Sequence, residues 1–448
     1  MSFLQDMLTS LFDRRLEGGS ELDDRSFQEL CQALLSSRGE LSGHRIALAL
    51  LDQFDHSDLE SRQHWFRLLL DDYDIDTTLA VSAARAYAER QSAQNWRQLS
   101  EATLSKRFEL LQRINRVPGA TGRLVGMRES LLELLPENED LARVDSDFEQ
   151  LFHRWFNQGF LVLRQIDWDT PASILEKIIR YEAVHAINDW SELRSRLQPD
   201  DRRCFAFFHP AMPDDPLIFV EVALTRSLPE SIQSVLSTER DALAATEADT
   251  AVFYSISNCQ TGLRGVSFGN FLIKQVAKEL AGQLGNIKTF RTLSPVPSLA
   301  QWIRKRDQSL CSARLNELAE QALRRIDRPT GIPDAEDQTA EDSESMRVLV
   351  AHYLVNTRRQ SGEPNDPVAR FHLGNGASLS SVLANADNSP RGASQSGGVM
   401  VSYLYDLNVV ESNHEAYAQE RTVATSKEVE NLLRSLPDTD VLMKTANG

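Results

Sequence analysis

The chain has 448 residues, 41% of them apolar and 25% charged, with a formal net charge of −17. That length exceeds one ordinary core and points to two domains of globular composition. The acidity argues against duplex nucleic acid as a partner, because such binders displace counterions from many phosphates with a basic face. A small phosphorylated ligand held by local amides and a few cations is still compatible with it.

No apolar run reaches the ~20 residues of a membrane-spanning helix. Four scattered cysteines, Cys31, Cys204, Cys259 and Cys311, supply neither a disulfide framework nor a zinc set, and they suit a reducing compartment. The nine histidines contain no HxH or HxxxH pair, so no metal site is expected.

In chain order, Phe3, Leu4, Met7, Leu8, Leu11 and Phe12 repeat at helical spacing and lack the order of a secretory leader. "SFQELCQALLSS", "HRIALALLDQF", "RQHWFRLLLDDY" and "TTLAVSAARAYAER" continue with apolar residues at i, i+3, i+4. "EATLSKRFELLQRINRV" and "GRLVGMRESLLELL" follow, divided by the stop signal Pro118-Gly119, and Asp145 is placed to cap a last helix. Residues 1–157 thus read as an all-α domain for scaffolding or self-association. Trp65, Phe66 and Leu68 to Leu70 could serve an interface, although that spacing more often marks core.

The texture changes at Phe160. "FLVLRQIDW", "RRCFAFFHP", "PLIFVEVALT" and "TAVFYSISN" are rich in the aromatic and β-branched residues of strands. Helical periodicity returns from Pro171 to Leu197, in "LPESIQSVLSTERDALA" and in "MRVLVAHYLVN". Residues 158–448 therefore read as a mixed α/β domain, and the whole chain as α+β. Asp327 to Ser345, acidic and aperiodic, reads as an exposed link.

Within this domain "GLRGVSFGNFLIK" follows a strand and opens a helix whose Leu272, Val276, Leu280 and Leu284 share a face. Backbone N–H groups at such a helix start favour a pyrophosphate, and Gly262 and Gly265 allow its close approach. The run is neither a P-loop nor a dinucleotide fingerprint, since no GK[ST] and no GxGxxG occurs. Arg264-Gly265-Val266-Ser267-Phe268-Gly269 resembles the [RQ]xxGx[GA] loop of the GNAT acyl-CoA-binding fold, with Ser267 in place of the first glycine.

Downstream, Ser294 precedes Pro295 and is held extended just past a strand. His372, in "PVARFHLGNGASL", stands ahead of the Asn375-Gly376 turn, at the expected exposed end of a strand. Arg304, Lys305 and Arg306 form the densest basic cluster after Ser294, although such runs are usually solvated.

Taken together, "YEAVHAINDW", "RRCFAFF", "PLIFVEVALT", "FYSISNCQTGLRGVSFGNFLIK", "TLSPVPSLAQWI", "PVARFHLGNGASL" and "SGGVMVSYLYDL" resemble the malonyl-CoA decarboxylase family, in the family's order. The resemblance implies a helical oligomerisation domain before a GNAT-like catalytic domain. It also implies conversion of malonyl-CoA to acetyl-CoA and CO₂ without a metal or cofactor. Ser294, His372 and Tyr405 match the family's catalytic Ser and His and an active-site Tyr. The segment Arg264, Gly265, Val266, Ser267, Phe268, Gly269, Asn270 matches its CoA-binding loop. Members often carry Glu where this chain has Ser267, and the peroxisomal C-terminal signal of some members is missing, which points to a cytoplasmic protein. A homo-oligomer, dimer or tetramer, is expected through the helical domain. The rival readings are a GNAT-type N-acyltransferase, which needs an amine acceptor, and a non-catalytic acyl-CoA sensor, which needs neither Ser294 nor His372.

Overall fold

Capping side chains punctuate the first part of the chain. Asp58, Asp76, Ser92 and Ser105 each accept from the N–H three residues on, of Ser61, Leu79, Asn95 and Phe108. The computed structural model describes residues 23–36, 39–266, 269–328, 340–436 and 443–444. The helix expected at residues 3–12 and most of the acidic link, 329–339, lie outside them.

The chain divides into two compact units. The first comprises residues 1–160 with Pro210–Met212 and Gln260–Val266. Its helices are α1 (Phe27–Ser36), α2 (Glu40–Asp55), α3 (Leu59–Asp71), α4 (Thr77–Glu89), α5 (Ala93–Ala102), α6 (Lys106–Ile114), α7 (Ala120–Leu134) and α8 (Ala142–Trp155). Trp65, Phe66, Leu69, Phe108, Leu124, Phe148 and Phe152 are buried together here, so the Trp65–Leu70 run serves the core. Arg107, also buried, is neutralised by Asp74 and Asp147. Asp145 does not cap α8, which starts at Ala142; it lies in the first turn, where its carboxylate holds Arg128.

The second unit is built on an eight-stranded mixed sheet. Its strands are β1 (Val162–Ile166), β2 (Arg202–Phe208), β3 (Ile218–Thr225), β4 (Thr250–Asn258), β5 (Thr289–Thr292), β6 (Ser294–Pro295), β8 (Ser378–Leu383) and β9 (Met400–Leu404). A short parallel pair, β7 (Thr357–Arg358) with β10 (Met443–Lys444), stands apart. The order is β1-β2-β3-β4-β5-β9-β6, with β8 also on β9. The first four strands are antiparallel, whereas β4 and β5 are parallel. Parallel neighbours need a crossover, supplied by α12. The helices of this unit are α9 (Ala172–Tyr181), α10 (Trp190–Leu197), α11 (Ile232–Leu236), α12 (Gly269–Gln283), α13 (Leu299–Lys305), α14 (Ala313–Ile326), α15 (Ala340–Val355), α16 (Pro367–Gly374), α17 (Pro390–Ser396), α18 (Val410–Glu420) and α19 (Lys427–Leu433).

Three expectations change here for identifiable reasons. The helical run from Pro171 to Leu197 is two helices, because the buried Glu182 carboxylate accepts from the N–H groups of Val184 and His185 and turns the chain. The same carboxylate accepts from Ser255 and Ser257 on β4, so its burial is offset by four donors. The stretch at 228–244 keeps only the five residues of α11, whose Ile232 N–H is bound to the Ala386 carbonyl. Finally, "PVARFHLG" is α16 and not a strand.

β3 is buried along almost its whole length and still carries Glu221, with 0% exposure. Glu221 pairs with Arg196 at 3.0 Å, and burial pushes its carboxyl up to about 7.

Candidate active site

The strand order brings β6 beside β9, with Ser294 opposite Val401 and Pro295 opposite Met400. Side chains alternate along a strand, so Thr292 and Ser294 share a face, as do Tyr403 and Tyr405. α16 delivers His372 to these residues. Its start is fixed by Asp366, which accepts from Val368 N at 2.9 Å and Ala369 N at 3.0 Å, while Pro367 takes the first helical position. Asp366 is wholly buried, and burial pushes its carboxyl up to about 6.

Ser294, His372 and Tyr405 form one continuous network. Ser294 Oγ lies 3.1 Å from His372 Nε2, and His372 Nδ1 lies 2.8 Å from the Tyr405 hydroxyl. Ser294 Oγ donates to Thr292 Oγ1 at 2.9 Å, which also accepts from the Tyr403 N–H at 3.0 Å. With the Ser294 proton on Thr292, the ring hydrogen belongs on Nε2 and points at Ser294, leaving Nδ1 to accept from Tyr405. The Tyr403 ring stacks on the imidazole at a centroid distance of 4.6 Å and 24°.

His372 is 2% exposed, not at the open end of a strand. Burial pushes its imidazole down to about 3, so the ring is neutral at physiological pH. Burial likewise raises the Tyr405 phenol well above its ordinary value, which keeps it a donor. Every member of the network is therefore uncharged.

Three neighbours escaped the sequence reading. Thr292 and Tyr403 were findable, each being two residues from a residue already singled out on an extended segment. Asn375 signals only a turn in the sequence. It is 1% exposed beside the Tyr405 hydroxyl, and neither polar atom of its amide has a hydrogen-bond partner of good geometry among the described residues.

Among the loop residues, Arg264, Gly265 and Val266 group with the helical unit. Gly262 is demanded by packing, because a Cβ there would sit 2.0 Å from the Val125 carbonyl oxygen of α7. Gly265 has φ +87°, a conformation that favours glycine, and a Cβ would meet Glu149 at 2.5 Å. Ser267 and Phe268 lie outside the described residues, and Gly269 and Asn270 open α12. Leu272, Val276 and Leu280 are buried, as their spacing requires. In the basic cluster, Arg304 is paired with Asp327 at 2.6 Å and Arg306 donates to the Ile303 carbonyl.

No group of three or more potential metal ligands occurs among the described residues, and no helix there is long and apolar enough to cross a membrane.

Known proteins resemble this chain over most of its length. Residues 159–443 match the profile of the malonyl-CoA decarboxylase C-terminal domain, and residues 73–156 that of its N-terminal domain. The mitochondrial malonyl-CoA decarboxylase of Anser anser anser is 35% identical over 71% of this chain and 68% of its own length. Two crystal structures of malonyl-CoA decarboxylases superpose over most of the chain. The Agrobacterium vitis protein gives a TM-score of 0.84 at 48% identity, covering 91% of this chain and 99% of that one. The Rhodopseudomonas palustris protein gives 0.83 at 45% identity, covering 90% and 98%. On profile, identity and fold alike, the chain belongs to the malonyl-CoA decarboxylase family.

Proposed function

We propose that the chain releases CO₂ from malonyl-CoA through a thioester enolate, protonated by way of the Ser294–His372–Tyr405 network. The reaction class, decarboxylation of malonyl-CoA to acetyl-CoA, follows from the family. The observation that carries the finer reading is the unbroken neutral path from Tyr405 through both imidazole nitrogens to Ser294.

Cleavage of the bond between C2 and the carboxylate carbon sends its electron pair into the thioester, whose oxygen takes the charge as CO₂ leaves. The thioester is its own electron sink, so this route calls for no separate cofactor. The absence of a charge in the network favours the same step. A carboxylate held among neutral groups is poorly stabilised, whereas CO₂ loses nothing there.

The enolate then needs one proton at C2. Ser294 gives its hydroxyl proton, the Nε2–H replenishes Ser294, and the Tyr405 hydroxyl replenishes Nδ1. A solvent proton restores Tyr405, which leaves the imidazole as its Nδ1–H tautomer, and return of the ring to the Nε2–H form before the next turnover closes the cycle. Since burial keeps His372 neutral, the imidazole acts as a two-ended relay and not as a standing imidazolium acid.

The test is turnover of malonyl-CoA with no amine acceptor present, comparing wild type with Ser294→Ala and His372→Asn. Each substitution is expected to lower kcat by at least ~10²-fold while leaving binding of a CoA ester intact. Near-normal turnover in either folded variant removes that residue from the chemistry. A strict requirement for an amine would instead favour the acyltransferase reading.

A further inference from the structure

One buried polar side chain beside the network has no task in the reaction as described. Asn375 ends α16, its N–H donating to the Phe371 and His372 carbonyls, both at 3.1 Å. The next residue, Gly376, has φ +83°, and a Cβ there would collide with the Val410 carbonyl oxygen of α18, so glycine is required. Asn413 of α18 donates to the Gly376 carbonyl at 3.2 Å. The backbone that carries the Asn375 side chain is therefore anchored on both sides. That side chain is 1% exposed and lies against the Tyr405 hydroxyl, with neither amide atom in a hydrogen bond of full geometry among the described residues. A buried amide is seldom left so. Asn375, His372, Ser294 and Tyr405 all belong to the second unit.

What the amide faces changes during the relay. The enolate carries one negative charge. C2 takes the Ser294 proton, Ser294 the Nε2 proton and Nδ1 the Tyr405 proton, so each proton moves one step and the charge arrives on the Tyr405 oxygen. It stays there until a solvent proton neutralises it. Tyr405 is buried, and its ring meets those of Phe253 and His372 edge-on, neither of them charged. Burial opposes an anion there, and the Asn375 amide favours it. A neutral hydroxyl engages a nearby N–H loosely, whereas a phenolate draws it in. A donor that holds the charged form more tightly than the neutral one lowers the barrier to forming it.

We propose that Asn375 is a positioning residue for the reaction: its Nδ2–H group holds the Tyr405 oxygen while that oxygen carries the charge passed back from the enolate. Between turnovers the same N–H faces a lone pair of the hydroxyl and leaves the single Tyr405 hydrogen for Nδ1. The proposal rests on the Ser294–His372–Tyr405 relay put forward above. Asn375 acts through Tyr405 and not on the substrate.

The experiment is a double-mutant cycle on kcat at saturating malonyl-CoA. Asn375→Leu matches the amide in size and removes both polar atoms. An unpaired amide then gives way to an apolar group, so Tm should hold. Turnover should fall about tenfold, the loss of one hydrogen bond to a charged oxygen, with KM within about twofold. In a Tyr405→Phe protein the same substitution should change kcat by less than about twofold, because the oxygen it serves is gone. Normal turnover in Asn375→Leu, or an equal fall in both backgrounds, overturns the proposal, since a packing role is blind to the Tyr405 hydroxyl.

If Asn375→Leu does not fold, Asn375→Ala removes the same donor without added bulk and runs through the same cycle with the same readings. Tyr405→Phe alone separates the proposal from the reading beneath it. Wild-type kcat in Tyr405→Phe sinks the relay through Tyr405 and the proposal with it. A slow Tyr405→Phe beside a normal or additive Asn375 variant sinks only the role of Asn375.

Discussion

At the scale of single residues, the position of His372 changes the chemistry expected of it. An exposed imidazole titrates near pH 6.5 and could give up a standing proton. This one is buried between Ser294, Tyr405 and the Tyr403 ring, and burial pushes it down to about 3. Its neutral form therefore persists across the working range, and kcat should be flat from about pH 5 to 8. The measurement is kcat at saturating malonyl-CoA across that range. A step near pH 6.5 that disappears in His372→Asn would show a titrating imidazole and exclude the neutral relay. Tyr405→Phe belongs to the same argument. It removes the donor to Nδ1 and frees the ring to adopt the other tautomer, so kcat should fall roughly tenfold or more while KM holds. Equal activity in Tyr405→Phe would end the relay at His372.

At the scale of elements, α16 shows where the sequence was legible and where it was not. The strands β2 to β4 were readable because their aromatic and β-branched runs pack into a sheet buried on both faces. The eight residues of α16 are too few for periodicity to speak, and Val368, Phe371 and His372 have no strong helical preference. The signal that was present, Asp366 before Pro367, is a cap followed by a first-turn proline. Nothing local announces that Asp366 is buried, nor that β9 pairs with β6 as well as β8, because burial depends on tertiary surroundings and Ser294 and Val401 are over a hundred positions apart. For the same reason Ser294, His372 and Tyr405 could be singled out in the chain, but their joining through one imidazole could not. The buried cap makes a direct prediction. Asp366→Ala leaves the Val368 and Ala369 N–H groups without an acceptor and should cost about 2–3 kcal/mol, lowering Tm by roughly 4–8 °C. It should also lower kcat by letting His372 drift from Ser294. Asp366→Asn, which can still cap, should keep most of both. Calorimetry and turnover on the two variants decide the matter, and an Asp366→Ala protein as stable and active as wild type would show that the cap does not set the helix.

At the scale of the whole molecule, one apolar feature among the described residues bears on assembly. The α4–α5 hairpin buries only Ala83 and Ala102 of its helical residues. It exposes Leu79 at 55%, Val81 at 51% and Trp96 at 56%, with the Trp96 ring 5.5 Å from Tyr87. Large apolar side chains left open to solvent on neighbouring helices mark a surface that another can cover. The self-association expected of the helical part would place a second copy here, since a symmetric contact needs a patch that can meet itself, and uncharged apolar residues can do so without repulsion. Leu79→Glu combined with Trp96→Glu puts like charges on both sides of such a contact. Light scattering on the eluted particle should then show fewer chains per particle than in wild type, with helical content unchanged by circular dichroism. Turnover at high dilution tells whether assembly matters to the chemistry. The Ser294–His372–Tyr405 network draws all its members from one chain, so kcat should survive the loss of assembly. A particle of unchanged mass would show that the hairpin is not the contact, and a collapse of kcat together with assembly would show that the network depends on a neighbouring copy.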